Sequence, residues 1–185
     1  MSDSIAMTWG STPEERGQSL ACDAEMPDAA KVWHRAIDVD APRPVVFRWL
    51  CQLRKAPYSY DALDNYGRRS PRTLTPGLDE LEVGQKVMTY YNLVAFEPDG
   101  HLTVRFRTPT ALFGQRVVTY TAQDAAPGRS RIVVRVRMKP PGGPLGLILP
   151  HTLPWVDLLM MRKQLRTLAR LAGDQAAADG TAVPG

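Results

Sequence analysis

The densest group of residues able to do chemistry lies between positions 58 and 72 of this 185-residue chain. It combines phenols, carboxylates, an amide and guanidiniums: Tyr58, Tyr60, Asp61, Asp64, Asn65, Arg68, Arg69 and Arg72. A phenol can hydrogen-bond a ligand oxygen, and an aspartate near an arginine can act as a general base or hold a carboxylate. The same Asp and Arg side chains could instead pair with one another and pin an irregular segment. Both interpretations stay open, and Tyr60, Asp61 and Arg69 are the candidates for proton transfer.

The histidines and cysteines do not suggest a second catalytic or metal-binding site. His34, His101 and His151 are scattered, and none has an Asp or Ser partner at a spacing typical of a catalytic pair. Cys22 and Cys51 form no CxxC motif, so we expect no metal site and no cofactor.

Composition narrows the classes of partner. The net charge of +4 is modest, and acidic residues are spread among the basic ones, which argues against a dedicated nucleic-acid protein. No apolar stretch reaches the roughly 18 residues of a membrane span, so we expect no stable membrane insertion. The N-terminal residues lack the basic and apolar regions of a secretory signal, which favours the cytoplasm. Nothing in the sequence fixes an oligomeric state.

The first half of the chain predicts a short arm, a strand and two helices. Thr12 and Glu15 have the spacing of a capping box, which predicts a short helix within an otherwise loosely held arm over residues 1–30. Alternating residues from Lys31 to Val39 predict a first strand. Apolar residues at helical spacing over 45–53 predict a helix, and a second short helix is expected over 60–66.

The second half predicts antiparallel strands followed by one long helix. Strands are expected over 86–96, 102–107, 116–121 and 131–138, with a hairpin turn at 97–100. In the last strand Ile132, Val134, Val136 and Met138 should face inward. The outward arginines are interpreted as a solvated face that prevents sheet association: Arg105, Arg107, Arg131, Arg135 and Arg137.

The C-terminal third ends in a helix expected over 154–171. Before it, residues 145–153 read as an apolar loop, either a pocket lid that touches a membrane or a segment tucked over the helix start. After it, residues 173–185 read as a disordered tail.

This order of elements predicts an α+β fold in which a curved antiparallel sheet wraps around the long C-terminal helix, with two short helices after the first strand. One helix cannot fill a widely curved sheet, so we expect a cavity between them. The residues expected to line it are Trp49, Tyr58, Tyr60, Tyr90, Phe106, Trp155, Leu158 and Met161.

Several stretches resemble a known superfamily. Ile37-Asp38-Val39-Asp40-Ala41-Pro42, with Val46-Phe47-Arg48-Trp49-Leu50 after it, resembles the opening strand and helix of the SRPBCC, or START-like, proteins. The segment from Ala56 to Asn65 adds to the likeness, and Trp9 to Glu15 is similar to an N-terminal segment of a bacterial branch. The resemblance implies a helix-grip domain over residues 31–172. That superfamily includes lipid-transfer domains and polyketide cyclases, so the resemblance implies a ligand pocket and does not imply one particular reaction.

The leading hypothesis is therefore a protein that binds a small hydrophobic molecule of lipid-, polyketide- or quinone-like chemistry between the sheet and the last helix. The alternative is a polyketide cyclase or dehydratase-type enzyme that uses acid–base chemistry in the same pocket. A third hypothesis is a protein-interaction role that uses the arginine face or the apolar loop.

Overall fold

The computed structural model describes residues 4–60, 66–107 and 113–180. Within these ranges the strands are β1 (Lys31–Val39), β2 (Lys86–Val87), β3 (Tyr91–Glu97), β4 (His101–Phe106), β5 (Gln115–Ala126) and β6 (Arg129–Lys139). They form one antiparallel sheet, curved and unclosed, in the order β1-β6-β5-β4-β3-β2. The helices are α1 (Ile5–Thr8), α2 (Pro13–Gly17), α3 (Ala21–Glu25), α4 (Arg43–Cys51) and α5 (Gly143–Ala178). The predicted α+β helix-grip architecture is confirmed.

The core lies between the inner face of the sheet and the helices α4 and α5. The four residues predicted to point inward from β6 are all fully buried there, as the alternation of that strand requires. Register shifts interrupt the ladders at Leu93/Ala95 and at Asp124/Ala126. Such irregularities bend a strand and increase its twist, which helps the sheet curve around α5.

The strand predicted over 86–96 is a tight hairpin instead. β2 and β3 pair antiparallel, with Val87 opposite Tyr91, and residues 88–90 turn between them. Met88 has a φ of 51° in this turn. The sequence does not predict this turn, because left-handed turn positions are normally occupied by Gly or Asn and not by Met.

The C-terminal helix is longer at both ends than the sequence predicts. It begins at Gly143, so the expected apolar loop is helical, and it passes through Pro150 and Pro154. Each proline removes one backbone donor but keeps a helical φ, and packing of the helix on the sheet outweighs the loss. At the other end Ala172 and Ala176 are fully buried, which holds residues 173–178 in the helix rather than in a disordered tail. The division into an arm, a domain over 31–172 and a tail otherwise stays a prediction.

The N-terminal segment is not a loose arm. The capping box of Thr12 and Glu15 is present, and α1, α2 and α3 pack against the protein. Acidic side chains of this segment pair with the outward arginines of the sheet: Glu15 with Arg131, Asp23 with Arg135 and Arg137, and Glu25 with Arg105. The expectation of a solvated arginine face is therefore wrong for these four residues, because the alternation of a strand predicts which face a side chain takes but not which segment covers that face.

The same segment closes one edge of the sheet. Trp9 lies along the edge strand β1, where its carbonyl accepts a hydrogen bond of 3.0 Å from the Ala36 amide. Gly10 follows with a φ of +74°, and a Cβ at this position would stand 2.1 Å from the Ala36 carbonyl oxygen. Only glycine allows this approach, so the contact protects the exposed edge of the sheet.

Candidate functional site

A cavity of about 250 Å³ lies between α5, the strands β3 to β5 and the segment that follows α4. Its size is just below the range of roughly 300–1,000 Å³ that is usual for drug-sized ligands. The walls are mostly apolar and open toward solvent beside Tyr90 and Val156, which are both exposed. The lining residues are Pro57, Ser59, Met88, Thr89, Tyr90, Tyr91, Phe106, Arg116, Tyr120, Leu153, Val156, Asp157, Met160, Met161 and Gln164.

Arg116 is the main cation of this wall. It stands near the start of β5 in the same alternation as Val118 and Tyr120, both of which are buried in the core, so the strand directs its side chain inward. Its side chain is only 15 % exposed. The guanidinium lies over the rings of Trp33 and Phe106, 5.5 and 5.8 Å from the ring centroids. These cation–π contacts hold the charge in place without neutralising it.

One carboxylate serves two arginines beside the cavity. Asp157 of α5 is 3.1 Å from Nη2 of the fully buried Arg35 and 4.0 Å from Nη1 of Arg116. Arg35 also donates to the backbone carbonyls of Ala6, His34 and Pro154, so most of its donors are used within the protein. The Nε of Arg116 has no hydrogen-bond partner among the described residues.

The electrostatics of this trio leave an excess of positive charge. Burial lowers the pKa of Arg116, but Tyr91 and Asp157 beside it raise the pKa by more. Burial also raises the pKa of Asp157 above its usual value, although the two arginines oppose that shift. Two guanidiniums that stay protonated thus face a single carboxyl group. The cavity wall can therefore accept an anionic or electron-rich oxygen.

A second polar group is fixed beside it. The Tyr120 hydroxyl donates to Oε1 of Gln164 at 3.0 Å, and Nε2 of Gln164 donates to the Pro57 carbonyl at 2.6 Å. Burial raises the pKa of Tyr120 well above its ordinary value, and the nearby Tyr91 and Asp157 add to the shift. The phenol therefore keeps its proton at neutral pH.

The structure brings some of the predicted site residues to this cavity and leaves others away from it. Tyr90, Phe106 and Met161 line it. Trp49 and Tyr58 are buried in the core, where their rings meet edge to face with centroids 6.2 Å apart. Leu158 is buried without lining the cavity, while Tyr60, Arg69 and Trp155 are exposed outside it. Asp61, Asp64 and Asn65 lie outside the described residues, so the role proposed for that polar group stays a prediction.

The sequence interpretation missed Arg116, Asp157, Tyr120 and Gln164. A signal for them existed, since a charged residue in an apolar register is unusual. Arg116 occupies an inward position of β5, and Asp157 lies one turn before Met161 on the buried stripe of α5. A helix that began at residue 154, as the sequence predicts, would place Asp157 at the positive end of its dipole, but the helix begins fourteen residues before Asp157.

The fold recurs in solved structures. The Zhui aromatase/cyclase from Streptomyces sp. R1128 aligns with a TM-score of 0.55 and 12% identity, over 83% of this chain and 99% of that one. The di-domain aromatase/cyclase StfQ of the steffimycin biosynthetic pathway aligns with a TM-score of 0.53 and 15% identity, over 83% of this chain and 54% of that one. A protein of Thermobifida fusca gives a TM-score of 0.51 and 12% identity, over 77% of this chain and 93% of that one.

These likenesses show that the chain shares its helix-grip fold with these proteins. At such identities they show the fold alone. No protein-family model and no curated protein matches the sequence. In the three described ranges, no helix combines the length and the apolarity needed to cross a bilayer.

Proposed function

We propose that this protein binds a small, mostly apolar molecule that carries an anionic or electron-rich oxygen. The apolar body occupies the cavity between α5 and the sheet, and the oxygen meets Arg116. The observation that carries this proposal is the sharing of one carboxyl group, Asp157, by two guanidiniums, of which Arg116 stands at the mostly apolar cavity wall.

An incompletely paired arginine costs free energy unless something else satisfies it. Nη1 of Arg116 is 4.0 Å from the Asp157 carboxylate, which is beyond hydrogen-bond distance, and Nε lacks a hydrogen-bond partner among the described residues. A carboxylate, enolate or carbonyl oxygen would complete these bonds with the fork geometry that guanidinium favours. Binding such a ligand would therefore offset a desolvation cost that the protein already carries.

The lining and the volume of the cavity also limit which apolar body the ligand can have. Phe106, Tyr91 and Met160 supply aromatic and thioether surface, and methionine side chains adapt to ligands of different shape. The small volume favours a molecule of a few rings or a short chain over a long lipid. Polyketide- or quinone-like compounds fit this description, and the aromatase/cyclases of the same fold support that class.

A cyclase or dehydratase-type enzyme is the second candidate. Its support is that groups able to hold or move a proton stand at the same wall as Arg116. The raised pKa of Asp157 suits a carboxyl group that exchanges a proton, and the Tyr120 phenol is a fixed donor. Arg116 would then stabilise negative charge on a reacting oxygen.

We also propose the cytoplasm as the compartment. Cys22 and Cys51 are both buried free thiols. Proteins of oxidising compartments more often pair their cysteines, so this supports a reducing environment.

A matched pair of dyes tests the proposal. 8-Anilinonaphthalene-1-sulfonate and N-phenyl-1-naphthylamine share an apolar body, but only the first carries an anion. Arg116→Gln should weaken binding of the sulfonate about tenfold or more and leave the uncharged dye within about twofold, because a hydrogen bond to a charged group contributes about 1.5–3 kcal/mol. Arg129→Gln, at an exposed outer position, is the control for nonspecific binding.

Unchanged sulfonate affinity in Arg116→Gln would overturn the proposal. Native mass spectrometry of gently purified protein then addresses the natural ligand. An anionic adduct that is absent from Arg116→Gln supports binding. Conversion of an added polyketide-like ketone, lost in Asp157→Asn but with binding retained, would favour the enzyme.

A further inference from the structure

The N-terminal half of α5 exposes an apolar stripe to solvent. Ile148, Trp155 and Leu159 are 60, 55 and 59 % exposed. Their spacing of seven and four residues places them in one line along the helix, at about 100° per residue. Leu147 and Val156 widen the stripe. Single exposed apolar residues are ordinary, but a contiguous patch of this kind marks an interaction surface.

The stripe adjoins the mouth of the cavity. Val156 belongs to both, because it is exposed and also lines the cavity. Tyr90 and Phe113 extend the apolar rim from the sheet side, where the Phe113 ring meets Phe106 with centroids 6.4 Å apart. The opening is therefore surrounded by apolar side chains from different elements.

The same helix becomes basic where the stripe ends. Arg162, Lys163 and Arg166 are exposed on the next turns, and the guanidiniums of Arg162 and Arg166 also lie near the Trp9 ring, 5.9 and 6.0 Å from its centroid. Between Gly143 and Gly173 the one acidic residue is Asp157, which is 9 % exposed and already paired with Arg35. The surface is thus apolar and cationic, with no carboxylate of its own.

We propose that this face of α5 docks on a bilayer surface that contains anionic lipids, with the cavity mouth turned toward the membrane. The apolar stripe would enter the boundary between headgroups and acyl chains, and the basic turns would meet lipid phosphates. A second copy of the chain fits less well, since the stripe offers no carboxylate with which the cations of that copy could pair. Docking lies beyond the proposed ligand binding and would let an apolar ligand pass without crossing water.

Vesicle flotation tests the docking. The protein should float with vesicles of phosphatidylcholine that contain about one third phosphatidylglycerol and bind pure phosphatidylcholine much more weakly, with a loss of binding at high salt. Trp155 is the exposed tryptophan of the stripe, whereas Trp33 and Trp49 are buried. A blue shift of the emission on binding, reduced in Trp155→Phe, would report entry of the stripe into the lipid.

Two substitutions separate docking from ligand binding, because neither residue lines the cavity. Lys163→Glu should reduce vesicle binding by about 25-fold, since one basic residue near an anionic surface contributes about fivefold and a charge reversal doubles the effect in free energy. Leu159→Asp adds one negative charge to the stripe and should reduce binding by about fivefold or more. Dye binding in the cavity should be unchanged in both. Val83→Asp and Arg72→Glu are matched controls at exposed positions on a different part of the chain.

Absence of binding to anionic vesicles, or equal binding by Leu159→Asp and wild type, overturns the proposal. A dimer in solution that Leu159→Asp converts to a monomer also overturns it and assigns the stripe to a second copy. Failure of dye binding with intact flotation would remove the proposed ligand function and leave docking in place.

Discussion

Both faces of the sheet carry arginines with largely buried side chains, but these arginines are paired differently on the two faces. On the outer face Arg131, Arg135 and Arg137 meet the carboxylates of Glu15 and Asp23, and further donors reach backbone carbonyls of the N-terminal segment. On the inner face Arg35 and Arg116 share the one carboxylate of Asp157. Arg35 also donates to three backbone carbonyls, whereas Arg116 stands beside Tyr91 at the cavity wall.

The difference separates structure from function. A buried cation that is held by a carboxylate and by several backbone carbonyls of another segment holds elements together. A buried cation that is incompletely paired beside an apolar cavity is available to a ligand. Removing one partner of a pair should therefore lower the free energy of unfolding strongly on the outer face and only slightly on the inner face. The four predictions below test this contrast and the contacts of the outer face.

The largest effect is expected from Asp23→Ala. This substitution leaves Arg135, whose side chain is 5 % exposed, without its carboxylate and removes the hydrogen bond that the Leu20 amide donates to Asp23. We expect a loss of about 2–4 kcal/mol in the free energy of unfolding, measured by urea denaturation. Asp40→Ala breaks an ion pair with Arg129 that is exposed on both sides and should cost less than about 0.5 kcal/mol. Equal losses in the two variants would show that the outer pairs do not hold the segment.

Gly10→Ala tests the edge contact of the same segment. The new methyl group would clash with the Ala36 carbonyl oxygen in a backbone conformation that alanine disfavours, so we expect a loss of about 2 kcal/mol. Gly17→Ala meets no neighbouring atom and has no positive φ, and it should be neutral or slightly stabilising. Thermal unfolding of both variants gives the comparison, and a harmless Gly10→Ala would contradict the close approach.

The pH dependence of stability should report the crowding of cations on the outer face. Burial, followed by Arg135 and other arginines, lowers the pKa of His34 from 6.5 to about 4. The unfolded chain therefore binds a proton near pH 6.5 while the folded chain does not, and stability is lost as the pH falls from 6.5 toward 4. We expect a loss of about 2 kcal/mol across that window, much of it absent in His34→Gln. His151→Gln, at an exposed position, should keep the decline.

The smallest effect on stability is expected from Arg116→Met. Without Arg116 the remaining Arg35 and Asp157 form a one-to-one pair, so the free energy of unfolding should change by less than about 1 kcal/mol. The matched outer variant, Arg135→Met, should lose about 2 kcal/mol because Asp23 and two backbone carbonyls lose their donor. Chemical denaturation of both proteins decides the matter, and a large loss in Arg116→Met would make that residue structural.

The sequence predicted those parts of the fold that depend on local patterns. The alternation of β6, the capping box at Thr12 and the helical spacing of α4 each appear where expected. The docking of the N-terminal segment depends instead on pairs such as Glu15 with Arg131, which are 116 residues apart. The spacing of neighbouring residues cannot predict a pair so far apart in the sequence.

The site was harder to predict for the same reason. Arg116 and Asp157 become partners only after β5 and α5 pack together, and the described cavity lies beside them rather than beside Trp49 and Tyr58. The predicted site followed the densest cluster of polar residues, whereas Arg116 and Asp157 are single charged residues in apolar registers of β5 and α5.

The pairing of the N-terminal segment with β6 also sets an order of events during synthesis. Glu15 leaves the ribosome long before Arg131, and at 5–20 residues per second the interval is on the order of ten seconds. During that time Glu15 and Asp23 lack the β6 arginines with which they pair, and β1 has no β6 beside it. The pairs of Glu15 and Asp23 with β6 therefore cannot guide the folding of the earlier strands. They form only once the last strand has been made.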